Sequence, residues 1–360
     1  MSIIKRIVNT YNQLSAISSR TGKSRLLLIT DFLKLRKQNQ VSLIEYCNFK
    51  LYQQDNGFRN DFLSYSRAMH YWEILNPTRN ANLARDKFIS HCLLHSVGIP
   101  TAKLIAYYNP ETASTSDLIA NSYESLSCLI KKSGLKTFVI KPSKDSAHGH
   151  GVIVCRELMY KGNELLIVKS KGEVIPLRDI LGNESLLFEE KIEQTTQAKS
   201  FNSSSLNTVR IMTALYPDKS VKIIAAFLKI GREGSDIDNA GQGGNVDCGV
   251  NVNNGILYNT IQFNSWQDIT SIAKHPDTGT QLEGAKLEHW DYIKQKLCYY
   301  QGLIPQLKVI GWDVAITDKG PIIIEINNWW DTTGQAFIAF GWKPKVEDCY
   351  NAWKTFYHNR

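Results

Sequence analysis

LKVIGWDVAITDKGPIIIEINNWW, residues 307–330, is the stretch from which the fold can be read. LKVIGWDVAI and GPIIIEINNWW have the β-branched and aromatic content of strands. Thr317-Asp318-Lys319-Gly320 between them has the composition of a turn, so the two are expected to lie side by side. Side chains alternate across a strand, which puts Glu325 and Asn327 on one face, where Asp313 of the first strand can join them. Three oxygen donors in so small a space suit Mg²⁺, which takes one or two carboxylates and completes its shell with substrate phosphates and water. Taken alone, the three could equally be solvated groups at a strand edge.

Upstream, TFVIKPSKDSAHGHGVIVCRE (137–157) places Lys141 at the end of a strand, before a loop containing Gly149 and Gly151 and then another strand. Glycines let backbone N–H groups approach phosphate oxygens, and a nearby lysine neutralises their charge, so the segment reads as a strand-loop-strand phosphate cradle. It lacks GxxxxGK[ST], and no helix follows its glycines, which excludes a Walker loop and a Rossmann loop. A plain glycine hairpin tip is the alternative. LLFEEKIEQ (186–194) runs from a strand into a connector rich in carboxylates, Glu189, Glu190 and Glu193. Backbone groups of such a hinge can read an adenine edge and a carboxylate can take ribose hydroxyls, although three acids in an exposed loop are equally ordinary. Arg210 and Arg232 follow, as candidates to bind a γ-phosphate and stabilise a transferring phosphoryl group, or else as surface arginines.

Further out, the apolar pattern from Ser2 to about Leu75 is helical, through Leu26, Leu27, Ile29, Phe32, Leu33 and Leu35 and on to Tyr46, Phe49, Leu51 and Tyr52. Asn76-Pro77 interrupts it. Residues 82–97 read as one further helix with Leu83, Phe88, Cys92 and Leu93 on its apolar side. Strands are expected at 104–109, 137–142, 151–157, 164–170, 185–192, 208–217 and 221–231, a helix at 117–133, and a late helix around Leu287–Leu297. The Gly/Asn-rich stretch 232–255 cannot be regular helix.

Composition fits an ordered globular protein of more than one unit: 360 residues, 43% hydrophobic and 21% charged, without repeats or low-complexity tracts. Seven scattered cysteines with no CxxC pairing disfavour zinc and read as reduced thiols of a cytosolic protein. No membrane span or secretory signal is expected. The formal charge of +8 is concentrated at the start, where residues 1–50 carry nine Lys or Arg against Asp31 and Glu45. This segment is either a docking surface for lipid headgroups or an acidic polysaccharide, or a solvated helical face.

The order Lys87, Lys141 with its glycines, acidic connector, two arginines, then Asp313 and Glu325 with Asn327, resembles the ATP-grasp superfamily over roughly residues 45–340. EYCNFKLY, LARDKFISHCLLHSVGIP, EEKIEQ, SSLNTVRIMT, the DNAGQGG loop and IGWDVAITDKGPIIIEINN resemble more narrowly the sugar-transfer-associated ATP-grasp family. The resemblance implies an α+β ATP-grasp fold in which two subdomains clamp ATP. Its divisions would be a helical N-terminal region (1–80), a nucleotide-binding subdomain (81–190) and a C-terminal subdomain with the metal and substrate site (191–360).

Position by position, the resemblance implies Lys87 and Lys141 on the nucleotide phosphates, Glu189, Glu190, Lys191 and Ile192 as the adenine hinge, and Glu193 on the ribose. Asp313, Glu325 and Asn327 would hold Mg²⁺, two ions with Glu325 between them, while Arg232 and Asn239 would line the acyl-phosphate region. The implied activity is that of a carboxylate-amine ligase working through an acyl phosphate. Its substrates would be a saccharide or small-molecule carboxylate and an amine, in synthesis of a bacterial surface polysaccharide such as a capsule, in the cytoplasm and without a nucleic-acid partner. A phosphotransferase acting on a hydroxyl and a nucleotide-binding module without turnover are the alternatives. His150 between the cradle glycines and NWWDTTGQ after Asn327, in place of a Pro-Gly turn, depart from the pattern. Trp329 and Trp330 there could stack on a sugar or simply pack as core.

Overall fold

The computed structural model describes residues 3–113, 115–144, 150–241, 243–329 and 331–359, with side chains from residue 10 onward. The early apolar periodicity folds as α1 (Ile3–Thr21), α2 (Arg25–Asn39), α3 (Leu43–Asn48), α4 (Asn56–Asp61) and α5 (Tyr65–Leu75). Ser42 and Glu45 form a reciprocal capping box that starts α3, while Asp55 and Ser64 cap α4 and α5. Leu14, Leu28, Phe32, Leu35, Tyr46 and Phe62 form the core of this region.

The stretch 82–97, expected as one helix, is two: α6 (Asn82–Arg85) and α7 (Lys87–Ser96). Asp86 leaves helical geometry, and its carboxylate accepts the N–H groups of Phe88 and Ile89 at 3.0 and 3.2 Å, which makes Lys87 the first residue of α7. Cys92 is exposed instead of facing the core; Ser90 and Leu94 are the buried residues of that helix.

There follow β1 (Leu104–Tyr108), β2 (Ile119–Ala120), α8 (Tyr123–Ser133), β3 (Phe138–Pro142) and β4 (Ile153–Cys155). The helix expected at 117–133 thus begins six residues late, because 119–120 pair with β1 and Ser122 and Ser125 cap the helix start. At Arg156 the strand expected over 151–157 divides, and the chain passes to β5 (Glu157–Lys161), β6 (Glu164–Val168) and β7 (Val174–Pro176), then α9 (Leu177–Ile180). With β8 (Leu186–Glu190) the first sheet is ordered β2-β1-β8-β3-β4. It shares a core with α8 and the β5-β6-β7 sheet, built on Ile130, Phe138, Ile140, Leu165 and Phe188.

After α10 (Thr196–Phe201) come β9 (Thr208–Leu215), β10 (Val221–Ile230), β11 (Val246–Val250), β12 (Leu257–Ser265) and β13 (Asp268–Ser271). β11 lies within the Gly/Asn-rich stretch, and β12 and β13 were not anticipated. Next are α11 (Trp290–Leu303), β14 (Val309–Thr317), β15 (Gly320–Asn327), α12 (Gly334–Phe337) and α13 (Lys343–His358). The second sheet is antiparallel in the order β13-β12-β11-β10-β9-β14-β15.

Alternation gives this sheet two different faces. Val209, Ile211, Leu228, Ile230, Trp312 and Val314 pack on Trp290, Ile293 and Leu297 of α11 and Leu94 of α7. On the other face Met212, Ala214, Ile224 and Phe227 meet Trp72 and Leu75 of α5 and Val346, Cys349 and Trp353 of α13. Two fully buried amides tie the N-terminal helices to the rest of the chain, Asn76 to the start of β14 and Gln335 of α12 to the segment before α5. Asn76 accepts the N–H of Lys308 at 2.8 Å and donates to Val309 O at 2.7 Å. Gln335 accepts the N–H groups of Leu63 and Trp342 at 2.8 and 2.9 Å and donates to Leu63 O and Thr332 O, both at 2.9 Å.

Candidate active site

The expected pairing of β14 with β15 is present, with Asp313 opposite Glu325 and Gly311 opposite Asn327. β9 continues the row, because Arg210 stands opposite Asp313 on its other side. These side chains share the polar end of one sheet face and line a cavity of about 510 Å³. From the first sheet the same cavity receives Lys141 and Glu189, and from the connector Glu190, Lys191, Ile192 and Glu193. Lys87 and Asn239 complete the sequence-predicted residues that it gathers.

Each lysine is fixed by the local fold. The N–H of Lys87 donates to Ser143 O at 2.8 Å, and the Ser143 hydroxyl donates to Asp86 at 3.0 Å, so the start of α7 is tied to the end of β3. Its ammonium lies 3.9 Å from Glu325 Oε2, and burial lowers its pKa against the opposing pull of Glu325. Lys141 Nζ is 2.7 Å from Glu189 Oε2, with both side chains 9% exposed, and also reaches Ile324 O at 3.3 Å. Glu189 is therefore a buried counter-ion. Glu190 and Glu193 are the exposed acids of the hinge, and Glu193 is held by Lys199 at 2.8 Å and Lys191 at 3.2 Å.

Three calls meet a different arrangement. Arg232 is not brought to the cavity: Asp277 clamps its guanidinium through two bonds of 2.7 and 2.6 Å, and that hydrogen bonding lowers the aspartate to about 2. Gly151 has φ +77° and packs on Pro142, whose ring a Cβ would approach to 2.7 Å, so it serves the hairpin and does not line the cavity. Gly149 and Trp330 lie outside the described residues. Asp313, read as a metal ligand, has both oxygens committed. Arg210 grips them at 2.8 and 2.7 Å, and Lys229 Nζ approaches one at 2.9 Å. Burial alone would raise this carboxyl, but Arg210 and Lys229 outweigh burial and hold it well below the usual carboxylate range. Arg210 is thus a partner of Asp313 through Nε and Nη2 while it lines the cavity.

The donor chemistry fits Mg²⁺ at Glu325 and Asn327. The one ion pair of Glu325 among the described residues is with Lys87, 3.9 Å away. Asn327 turns its N–H₂ towards Glu325 Oε1 at 3.2 Å and Asp313 Oδ2 at 3.4 Å, which leaves its own carbonyl oxygen to accept. Asp313 meets them already paired with two cations.

Sequence reasoning missed Lys229 and Arg156. Lys229 is a buried ammonium in the run AAFLKI, where a charge inside an apolar strand was a legible signal. Arg156, at the break between β4 and β5, reaches across the cavity rim to Asp236 Oδ1 at 2.8 Å and Ser204 O at 2.5 Å. Nothing near it in the chain announces those partners.

Under the loop that carries Asn239 lies Asp247, fully buried on β11. Its Oδ2 accepts the Gly241 N–H at 3.2 Å, and its Oδ1 has no partner among the described residues. Burial pushes its pKa from 3.8 up to about 7. The folded state therefore holds a proton that the unfolded chain has already lost, so this stabilisation is complete below 3.8 and disappears as pH rises through 7. Urea unfolding of the wild type is expected to lose stability over that window, on the order of a few kcal/mol, while Asp247→Asn gives a flatter profile. Equal slopes for both proteins would refute this.

The comparisons with known proteins follow the same line. No curated protein matches the chain. Among solved structures, phosphoribosylamine–glycine ligase of Thermotoga maritima is 10% identical, covering 78% of this chain and 57% of its own, with a TM-score of 0.45. D-alanine–D-alanine ligase of Helicobacter pylori is 14% identical, over 78% and 64%, at 0.42. Biotin carboxylase of Campylobacter jejuni is 9% identical, over 75% and 47%, at 0.43. The chain spans about half to just under two thirds of these proteins, and likeness at such scores carries no argument. A sequence profile does: that of the sugar-transfer associated ATP-grasp proteins matches residues 66–345. Since the match takes in most of the chain, from α5 through the cavity to α13, the protein belongs to the sugar-transfer associated ATP-grasp family and has the α+β ATP-grasp fold.

Proposed function

We propose that the protein is an ATP-dependent ligase that joins a carboxylate to an amine by way of an acyl phosphate. ATP and Mg²⁺ are typical of the fold. The observation that carries the reading is that one cavity combines Lys87 and Lys141, each facing a carboxylate, with Glu325 and Asn327 and with the Arg210–Asp313–Lys229 cluster. The two lysines neutralise the nucleotide phosphates, and the connector 190–193 holds the base and ribose. Mg²⁺ held at Glu325 and Asn327 would supply further positive charge at the phosphate oxygens. Arg210, held on Asp313 and lining the cavity, stabilises charge that develops on the transferred group.

Such a cavity serves a carboxylate oxygen attacking the γ-phosphorus with departure of ADP, followed by an amine attacking the acyl carbon with departure of phosphate. The family's association with sugar transfer supports a saccharide on one side of the bond, a uronic acid or amino sugar joined to an amino acid in surface-polysaccharide synthesis. Phe227, Trp329 and Phe337 give the cavity an aromatic wall able to stack on a sugar ring.

The test is to supply ATP, an amino acid and a panel of sugar acids whose carboxylates carry ¹⁸O. The expected result is ADP, an amide, and inorganic phosphate bearing the label. A stable phosphorylated acceptor without amide would identify a phosphotransferase instead.

A further inference from the structure

The outer side of α2 is anomalous for a helix on a folded protein. Its inner side buries Leu28, Phe32 and Leu35, yet the opposite side carries Leu26, Leu27 and Leu33, which are 69%, 66% and 55% exposed. Positions 26, 30, 33 and 37 follow one another at three- and four-residue spacing and so form one stripe, with 27 and 34 beside it. Thr30 belongs to the stripe and donates its hydroxyl back to Leu26 O and Leu27 O at 3.0 Å, so it offers its methyl outward. Tyr11 of α1, half exposed, accepts a hydrogen bond from Arg25 Nη1 on its phenolic oxygen at 2.9 Å and extends the apolar surface at the start of α2.

Basic groups surround these side chains. Lys23, Arg25, Lys34, Arg36 and Lys37 are exposed, and the last three form no ion pair among the described residues. The only acids in residues 1–50 are turned inward. Asp31 is bound by Arg59 and by the Tyr46 hydroxyl at 2.8 Å, and Glu45 is buried in the cap of α3, accepting also from Tyr65 N–H at 2.7 Å. Among the described residues no acid pairs with Lys34, Arg36 or Lys37, and no helix is long and apolar enough to cross a membrane.

We infer that the outer face of α2 is a docking surface for an anionic lipid bilayer, lying in the plane of the headgroups with its leucines among the first acyl carbons. Basic residues flanking half-buried apolar ones match the interfacial mode of helix binding. An acidic polysaccharide would engage the lysines but would give Leu26, Leu27 and Leu33 nothing to bury against. A bilayer satisfies both, and it would hold the enzyme beside lipid-borne material without any spanning segment.

The experiment is flotation of the full chain with vesicles of phosphatidylcholine containing phosphatidylglycerol, against vesicles of phosphatidylcholine alone, at low and raised salt. Binding is expected to the anionic vesicles only and to weaken with salt. Leu26→Gln with Leu33→Gln should lower partitioning about tenfold or more, and Lys34→Gln with Lys37→Gln about fivefold for each charge removed. All four residues are exposed and remote from the cavity, so ADP formation in the absence of vesicles should be unchanged. Absence of binding to the anionic vesicles overturns the proposal. So does full retention of binding by the leucine variant, which would mark a charge-only surface for a soluble polyanion. A wild type that sediments as a dimer and becomes a monomer in the leucine variant would assign the face to a second copy of the chain.

Discussion

Glu325→Gln is expected to reduce ADP formation by about three orders of magnitude, equivalent to roughly 4 kcal/mol of lost charge stabilisation, while the urea midpoint stays in place. Glu325 sits at the cavity edge of β15 with a third of its side chain exposed, 3.9 Å from Lys87 and beside Asn327. A carboxamide keeps the shape and the hydrogen bond from Asn327 but removes the negative charge that can hold a divalent cation. Calorimetry separates this role from a structural one. ADP affinity of the wild type should rise on adding Mg²⁺, and that of the variant should not. Asn327→Ala should be milder, because a water can replace one neutral oxygen. Near-wild-type turnover by Glu325→Gln would remove the metal site from this strand pair.

The second large effect is on stability. Asp313→Asn should cost roughly 3–5 kcal/mol of unfolding free energy, because it leaves the Arg210 guanidinium and the Lys229 ammonium, both largely buried, without their shared anion. Adding Lys229→Met to that variant should restore part of the loss, since one of the stranded charges goes with it, and the departure from additivity measures the coupling within the triad. If Asp313→Asn unfolds at the wild-type urea concentration, the cluster is not the electrostatic keystone of this sheet face. The same comparison bears on chemistry: an aspartate held by two cations positions Arg210 before any nucleotide arrives.

What the sequence revealed, and what it hid, follows from the range of the interactions. Strand alternation placed Glu325 and Asn327 on one face and Asp313 opposite, because the two strands are joined by a tight turn and their register is local. Arg232 was expected beside the acyl phosphate and lies instead on Asp277, a partner 45 residues away in the chain, and no local pattern shows that the pair will meet. The break at Asp86 looked like mid-helix, although a capping aspartate is a recognised helix start; periodicity on both sides obscured it. α8 begins with Ser122 and Ser125, so the usual Ser-x-x-Glu signature was missing. β11 was hidden because Gly, Asn and Asp on either side have turn composition, and its strand character comes from pairing with β10 and β12.

The glutamine amide of α12 that joins the segment before α5 to the start of α13 has a practical consequence for anyone trimming the chain. The match to the family profile starts at residue 66, three positions after Leu63, whose N–H and C=O both bond Gln335. A protein begun at 66 would keep every residue that the profile matches, yet it would strip two partners from a fully buried side chain and uncover Trp266, which packs edge-on against Phe49 at 5.0 Å. Buried polar groups left unsatisfied cost about 1–3 kcal/mol each, and the bared aromatic surface favours aggregation. The edge of the family match and the folding edge of this protein therefore differ, and expression trials that cut at the former should yield insoluble material where those that retain α2 to α5 do not.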